Sequence, residues 1–504
     1  MEVRTVVLCA FLAVASATLE VVNQWSLLQF DFPPDPVLLE KFQPENTVPT
    51  GLEIGWDRIY LGIPRLRAGV PASLAWVPRS LPPGVSPVLQ AYPDWSWHTA
   101  GRGDINCTGL ISVYRIRADR CNRLWVLDAG VFTSLDDFRR VCPPKILIFD
   151  MATDRLVRSV YFPRELLRPS SLLTNIVLDD TKTSSPHLSA SCDNIFAYIS
   201  DTVAPGILVY DAQRDNAWRV THASMYPDPD LGEYDIGGER FTLMDGIVGL
   251  AHSPAQGLLY YQPLATDRIF SVSTAVLASG PPAEGADLPI NLVGRKSSQG
   301  LGLAVDPRDD TIIFSPMTET AIAAWNPITN AHKVLAQDPE KLQFCAEVRW
   351  AERDNGAVWA LSTRFHKYFK RTVSKHEVII FLYQKNFQKV PEILVLNRKK
   401  IYPLLHSQTQ NNYKKPGFKH CACATHVTQI GAIVTMPDCR SEGSRFDSQR
   451  SRNLNDEHRM MMSLKFLFSV WVFVFLSLCV SMVPKTQDMS TLLWGYECEA
   501  LFIY

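Results

Sequence analysis

The sequence lacks an excess of charge of either sign, since 50 Lys and Arg residues stand against 51 Asp and Glu residues in a chain of 504. Proteins that hold nucleic acid or an anionic membrane across their surface are strongly basic, so neither partner is indicated. The sequence also lacks a nucleophile elbow, a glycine-rich phosphate loop and a His-Glu-x-x-His zinc helix. No catalytic class is therefore identified by a motif.

Metal and cofactor signatures are equally scarce. His420, Cys421, Cys423 and His426 are metal-ligating residue types, but their spacing is not a common zinc spacing. The sequence predicts no metal site and no cofactor.

Long helical periodicity is absent as well, because 34 prolines and 26 glycines interrupt the chain. Pairs of short β-rich runs, bounded by Asp, Pro, Thr or Gly, take its place and recur along the sequence. These pairs are 123–128 with 145–150, 195–201 with 206–211, 258–264 with 268–272, and 311–315 with 321–325.

A third run precedes each pair and a fourth follows it, so the repeating unit has four strands. Four such strands form a propeller blade, whose apolar faces are buried only when blades stack in a ring. One further blade is predicted from 25–32, 58–63, 72–77 and 88–92, and a last one begins with 346–350 and 357–362. The sequence thus predicts an all-β, six-bladed β-propeller over residues 18–372; a pair of β-sandwiches is the alternative.

The N-terminus has the pattern of an export signal. Arg4 precedes an apolar run over 6–15, and small residues follow at 15–17, which predicts cleavage after Ala17 and an extracellular, secreted protein. Export implies an oxidising compartment, where cysteines form disulfides. Four cysteines lie close together in the body and predict two disulfides, although the pairing stays open: Cys107, Cys121, Cys142 and Cys192. Asn106 begins a glycosylation sequon.

The C-terminal part has a different composition. Residues 373–460 are basic, rich in Lys, Gln, Asn and Ser, and predict a disordered extension. Within 461–504, the apolar run 464–482 is nearly long enough to span a bilayer. It is interpreted either as a membrane anchor or, preferably, as a second export signal joined to the chain by a gene-model error.

Five segments of the body, found between about Val21 and Lys370, have a recognisable sequence: 64–74, 86–95, 121–130, 192–201 and 359–364. In these segments, and in their order, the body resembles the yellow/major royal jelly proteins of insects. Thr363 stands where the family usually has Asn, and Leu66 stands where it often has Trp. The family continues with strands that complete the last blade, for which 378–383 and 393–396 are the candidates here.

The resemblance implies several functions: pigmentation of cuticle and eggshell, conversion of dopachrome in melanin synthesis, binding of biogenic amines, and nutritive secretion. In a propeller, polar residues at the start of each innermost strand face a shared channel. This register predicts a ligand site for a catechol or indole amine, held by its ammonium, at Asn175, Asp245, Gln299 and Glu347.

Two alternatives to a binding function stay open. Conversion of dopachrome by an isomerase requires a base with a pKa near 7 beside a proton donor, and no such pair is evident in the sequence. His98, His222 and His252 are interpreted as surface or packing residues. A structural or storage protein without a ligand is the other alternative.

Overall fold

The computed structural model describes residues 19–181, 192–283 and 285–385, and almost every element in this part of the chain is a β-strand. The export signal, residues 386–460 of the predicted basic extension with the candidate strand 393–396 and the His420–His426 segment, and the apolar run 464–482 lie outside the described residues. None of the helices among the described residues is long and apolar enough to cross a membrane.

Six antiparallel sheets of four strands each form the blades of a propeller. Strand β1 (Glu20–Trp25) and helix α1 (Pro36–Lys41) come first along the chain. Blade 1 contains β2 (Gly51–Ile54), β3 (Arg58–Gly62), β4 (Leu74–Pro78) and β5 (Gln90–Ala91). Blade 2 contains β6 (Val113–Ala118), β7 (Arg123–Asp128), β10 (Lys145–Asp150) and β11 (Leu156–Tyr161). A separate hairpin of β8 (Val131–Phe132) and β9 (Arg139–Arg140) lies between β7 and β10 along the chain.

The remaining blades follow the same pattern. Blade 3 contains β12 (Leu173–Asp179), β13 (Phe196–Asp201), β14 (Gly206–Asp211) and β15 (Asn216–Val220), and a hairpin of β16 (Glu233–Ile236) and β17 (Glu239–Thr242) follows it. Blade 4 contains β18 (Ile247–Ser253), β19 (Leu258–Pro263), β20 (Arg268–Ser273) and β21 (Asn291–Arg295), with helix α2 (Thr274–Ala278) after β20. Blade 5 contains β22 (Leu303–Asp306), β23 (Thr311–Phe314), β24 (Ala321–Asn326) and β25 (Ala331–Gln337).

Blade 6 combines the two ends of the described chain. Its inner strands are β26 (Cys345–Ala351) and β27 (Ala357–Ser362), and after helix α3 (Phe365–Lys370) it continues with β28 (Ile380–Lys385). The outermost strand is β1, which pairs antiparallel with β28 from Glu20–Gln384 to Trp25–Ile380. Because these two strands share one ladder, backbone hydrogen bonds fasten the ring closed.

The innermost strands surround a central channel. Strands β2, β6, β12, β18, β22 and β26 contact one another in succession, and β26 returns to β2. This closed circle confirms the predicted six-bladed propeller and excludes a sandwich. Central strands such as β7 are buried along their whole length, whereas the outer strand β11 is mostly exposed. Because neighbouring sheets cover both faces of each central strand, these strands have continuous apolar runs instead of alternating apolar and polar residues.

Six aromatic side chains on the second or third strands of their blades pack between adjacent blades, where large rings fill the space between diverging sheets. All six rings are buried: Trp125, Tyr198, Tyr260, Tyr261, Trp325 and Trp359. Trp125, for example, joins β10 of its own blade and Tyr210 of blade 3 in one apolar cluster, with the two ring centroids 6.4 Å apart. Burial of large rings between neighbouring sheets is the main favourable contribution to stacking the blades.

The two predicted disulfides are present. Cys107 pairs with Cys142, and Cys121 pairs with Cys192, so that the second bridge joins the β6–β7 turn of blade 2 to the chain just before β13 of blade 3. Among the described residues Cys345 is a buried free thiol.

Two details of the predicted blades are wrong. The segment 25–32 is not a strand of blade 1, because the edge of the N-terminal chain pairs with blade 6 through Glu20–Trp25 instead. The propeller also continues past the predicted boundary at 372, because Ile380–Lys385 is the third strand of blade 6. Of the two candidate segments for that strand, the one at 378–383 overlaps it.

Candidate functional site

A buried ionic cluster lies in the middle of the central channel. Glu347 on β26 accepts hydrogen bonds from Arg115 and Arg117, two residues that alternate along β6. The Arg117 Nη2–Glu347 Oε1 distance is 3.1 Å, and the same nitrogen donates to Asn175 Oδ1 on β12 at 3.1 Å. Asn175 in turn donates from Nδ2 to the Val248 carbonyl on β18 at 2.7 Å. The cluster thus joins four blades across the axis.

Burial dominates the electrostatics of this cluster. The side chains of Arg115, Arg117 and Glu347 are 3–4% exposed. Burial lowers the pKa of Arg117 to about 10, against the opposing effect of Glu347, and it also lowers the pKa of Arg115. Since both guanidiniums stay charged near neutral pH, they depend on Glu347 for compensation.

A cavity of about 530 Å³ opens beside this cluster, at the ends of the innermost strands. All six blades contribute to its wall, and Arg117 is shared between the cavity and the buried cluster. The wall has aromatic and apolar residues, among them Trp56, Val177, Leu250, Leu303 and Trp350. A volume of this size accommodates a small aromatic molecule.

The cavity wall carries charges of both signs. Four are arginines and four are acids: Arg117, Arg120, Arg349, Arg353, Glu53, Asp119, Asp180 and Glu352. Glu53 pairs with Arg349 at 2.7 Å, and Arg120 pairs with Asp180 at 3.4 Å. Arg353 donates instead to the backbone carbonyl of Asp119 at 2.5 Å.

His252 also lies in the cavity wall, although the sequence indicates a packing residue there. Its Nε2 is 3.8 Å from the Asp179 carboxylate. Burial lowers the pKa of His252, and Asp179 opposes this effect only in part. A neutral imidazole near pH 7 is therefore expected beside the cavity.

Asp245 and Gln299 lie at the other end of the channel, where the innermost strands start. Gln299 donates from Nε2 to the backbone carbonyls of Leu231 and Glu233, at 3.0 and 2.8 Å, and so anchors the β16–β17 hairpin. Burial raises the pKa of Asp245 to about 6. Its charge also contributes to the raised pKa of the Tyr234 phenol, after the larger effect of burial.

Aromatic side chains crowd this second end. Phe241 of β17 stacks on Tyr234 with ring centroids 4.9 Å apart, and it lies 6.0 Å from the His366 ring of α3. Phe241 also belongs to the same apolar cluster as Phe344. The hairpin and α3 therefore close much of this end of the channel with apolar surface.

The four predicted ligand residues thus separate into two groups. Arg117 brings Asn175 and Glu347 together, but their polar atoms are engaged within the cluster. Asp245 and Gln299 lie near the opposite end and outside the cavity wall. Whether any of the four binds a ligand stays a prediction.

The sequence analysis missed the arginines that dominate the cavity. Arg115 and Arg117 stand two residues apart within an otherwise apolar strand, as do Glu347 and Arg349 in β26. Charged residues with a period of two on the innermost strand face the channel, which is the signal that identifies them. Within 19–181, 192–283 and 285–385, no group of three His, Cys, Asp or Glu side chains is arranged to hold a metal ion.

The remaining histidines and the sequon lie apart from the cavity. His98 is buried and its Nδ1 accepts from the Ser73 backbone N–H at 3.2 Å, whereas His222 caps a short 3-10 helix. Asn106 is exposed on a turn beside the Cys107–Cys142 bridge, as a glycosylation site requires.

Comparison with known proteins supports the resemblance seen in the sequence. The family profile described as "Major royal jelly protein" matches residues 111–394. The chain is similar to a dopaminechrome tautomerase of Drosophila melanogaster, at 27% identity over 76% of this chain and 85% of the relative. It is also similar to protein yellow of Drosophila yakuba, at 30% identity over 68% of this chain, and spans 63% of that relative. Among solved structures, a virginiamycin B lyase from Staphylococcus aureus overlaps with a TM-score of 0.35 at 9% identity, over 64% of this chain and 79% of the lyase.

Proposed function

The chain belongs to the major royal jelly protein family, and on this premise we propose that it is a secreted protein of pigmentation that binds a small catechol or indole derivative. The proposed site is the cavity at the end of the central channel. A dopaminechrome tautomerase and protein yellow among its relatives favour a role in melanin biology. Two disulfides fit an oxidising, extracellular compartment.

The observation that carries the proposal is the cavity itself. It measures about 530 Å³, all six blades line it, and its wall combines aromatic rings with hydrogen-bond donors. Small aromatic ligands bind in such concave sites, where apolar surface contributes most of the affinity and a few polar groups fix the orientation. Trp350 is half-buried in the wall, with the Arg308 guanidinium 4.3 Å from its ring centroid, and contributes aromatic surface to the cavity.

Calorimetric titration of the purified secreted protein with dopamine, serotonin and 3,4-dihydroxyphenylacetate tests the proposal. We expect saturable binding of at least one of these ligands, and we expect Trp350→Ala to weaken it about tenfold through loss of aromatic and apolar contact. Trp76→Ala is the matched control, because Trp76 is a half-buried tryptophan of blade 1 that also lies beneath an arginine but outside the cavity. Equal effects of the two substitutions would argue against a ligand in the cavity.

A second candidate function, conversion of dopachrome or a related aminochrome, is favoured by Asp245. A tautomerase removes a proton from carbon and delivers a proton to oxygen, and a base with a pKa of about 6 suits the first step near neutral pH. Tyr234 supplies a neighbouring hydroxyl, whose raised pKa keeps it protonated. This function would use the end of the channel where Asp245 lies.

Loss of dopachrome, followed against a heat-killed sample, separates the candidates. Turnover above the control that rises as the pH increases through about 6 supports the tautomerase, since only the ionised Asp245 accepts a proton. Asp245→Asn should abolish this turnover, whereas Asp230→Asn, at an exposed position nearby in the chain, should not. Binding without turnover supports a ligand carrier. A protein that shows neither supports the structural or storage alternative.

A further inference from the structure

Positive charge is in excess where the cavity meets the buried cluster. Arg115, Arg117 and Arg349 come together there with Glu53 and Glu347, which leaves one guanidinium without a matching carboxylate. Four of these five side chains are 3–4% exposed, and Arg349 is 21% exposed. Because water is largely excluded, an uncompensated charge here acts strongly on a bound molecule.

The carboxylates near the cavity are already occupied. Glu53 accepts two backbone N–H groups at 2.9 Å in addition to Arg349. The Asp119 side chain is fully buried, and its oxygens accept from Arg123 and from the Trp125 indole. Neither is therefore free to receive the ammonium group of an amine without breaking existing hydrogen bonds.

Arginine donors, in contrast, remain free. Among the described residues, Arg349 donates only from Nη2, and Arg353 pairs with no carboxylate. The charge of Arg349 also lowers the pKa of Arg117, after the larger effects of burial and Glu347, so the guanidiniums repel one another. An anion placed between them would relieve this repulsion and receive charge-assisted hydrogen bonds.

The rim of the cavity does not change this balance. Arg120 pairs with Asp180 at 3.4 Å, and the rim holds one further residue of each sign, Arg353 and the exposed Glu352, which form no ion pair with each other among the described residues. The excess of positive charge thus lies on the blade 6 side of the inner end, around Arg349, whereas the Asp179 carboxylate lies on the blade 3 side, 3.8 Å from His252 Nε2.

We infer that the cavity selects an aromatic carboxylate, with the acid group on the free donors of Arg349, close to the charge of Arg117, and the ring against the apolar and aromatic wall that includes Trp350. The inference rests on the proposed binding function and specifies its ligand class. It differs from the ammonium-bearing ligand that the sequence predicts, because the structure uses the acidic groups of the channel internally.

Three catechols that differ mainly in the charge of the side chain test the inference. The full secreted protein is titrated calorimetrically, without oxygen and at about pH 7, with 3,4-dihydroxyphenylacetate, dopamine and 4-methylcatechol. We expect the acid to bind at least about tenfold more tightly than neutral 4-methylcatechol, and dopamine to bind most weakly. Dopamine binding as tightly as the acid would overturn the inference and leave the proposed function standing. Failure of all three to bind would overturn the proposed function and, with it, the inference.

Substitution of Arg349 tests whether this residue causes the preference for the acid. Arg349→Gln should weaken the acid about tenfold and leave 4-methylcatechol unchanged, and Arg349→Lys should restore part of the preference. Glu53 keeps its two backbone partners in these variants, so the fold is retained. Arg295→Gln is the matched control, since this arginine pairs with Asp267 far from the cavity and is 57% exposed. Unchanged affinity of Arg349→Gln for the acid would contradict the assignment.

Discussion

The substitution Glu347→Gln tests whether the channel cluster depends on one carboxylate. Glu347 compensates Arg115 and Arg117, and all three side chains are 3–4% exposed. Two unit charges about 3 Å apart attract by roughly 5 kcal/mol at an effective dielectric constant of about 20. The neutral amide removes this attraction, while the two buried guanidiniums and nearby Arg349 continue to repel one another.

We expect Glu347→Gln to lower the free energy of unfolding by about 3–5 kcal/mol, the usual effect of breaking a buried ion pair. For a propeller of roughly 370 residues, with about 2.1 cal/mol/K of unfolding entropy per residue, this corresponds to a melting temperature about 5 °C lower. Urea denaturation and thermal unfolding measure the two quantities. Glu352→Gln, at an exposed position on the rim, should change stability by less than about 0.5 kcal/mol.

The same variant also tests whether repulsion between charges or altered packing causes the loss of stability. If repulsion between arginines destabilises Glu347→Gln, 3,4-dihydroxyphenylacetate should stabilise the variant by about 2.7 kcal/mol at one hundred times the variant's dissociation constant. The same concentration should stabilise the parent protein by less, because the parent binds the acid more weakly. A loss below about 1 kcal/mol, or one that the acid does not reduce, would refute this account of the cluster.

Three further predictions concern the frame around the channel. Replacing Cys121 and Cys192 together by Ser should lower the free energy of unfolding in urea by about 4 kcal/mol, because their bridge spans 71 residues of sequence; an unchanged midpoint would contradict this. Trp25→Ala should lower the free energy of unfolding by about 3–5 kcal/mol, because β1 closes the propeller and the Trp25 side chain is buried, with 2% exposure. Trp56→Ala should lower it little, because Trp56 is 67% exposed. Asp245→Asn should be about 1–2 kcal/mol more stable than the parent protein at pH 7 and equally stable near pH 4. The reason is that the raised pKa of Asp245 makes the parent protein lose stability as the pH rises from about 4 to about 6. Thermal unfolding measured across this pH range tests the prediction.

The blades could be predicted because their information is local. The predicted runs 123–128, 145–150 and 206–211 coincide with β7, β10 and β14, since apolar residues bounded by Asp or Gly define a buried strand and its turns within a few residues. The closing of the ring was not predictable in this way. Glu20–Trp25 pairs with Ile380–Lys385, although the two segments lie at opposite ends of the body. Nothing in the sequence of either segment indicates that the other is its partner.

The site was predicted only in part, for a related reason. The register that selected Asn175 and Glu347 correctly placed them on innermost strands. It did not reveal that Arg117 would engage both of them, because that contact depends on which blades face each other across the axis. Hydrogen-bonding partners across a ring follow from the number and tilt of the blades, and neither is encoded in the spacing within a strand.

The stability of the propeller does not explain why arginines occupy the channel. Apolar and aromatic side chains fill the wedges between blades, and a buried ion cluster is often no more stabilising than apolar residues of similar volume. Arg115 and Arg117 nevertheless occupy two inward positions of one strand and share a single carboxylate, Glu347, whereas the third guanidinium, Arg349, pairs with Glu53. Residues that depart from the rule of an apolar core are found chiefly at functional sites. The surplus of positive charge is thus better explained by a ligand that supplies the missing anion than by the requirements of the fold.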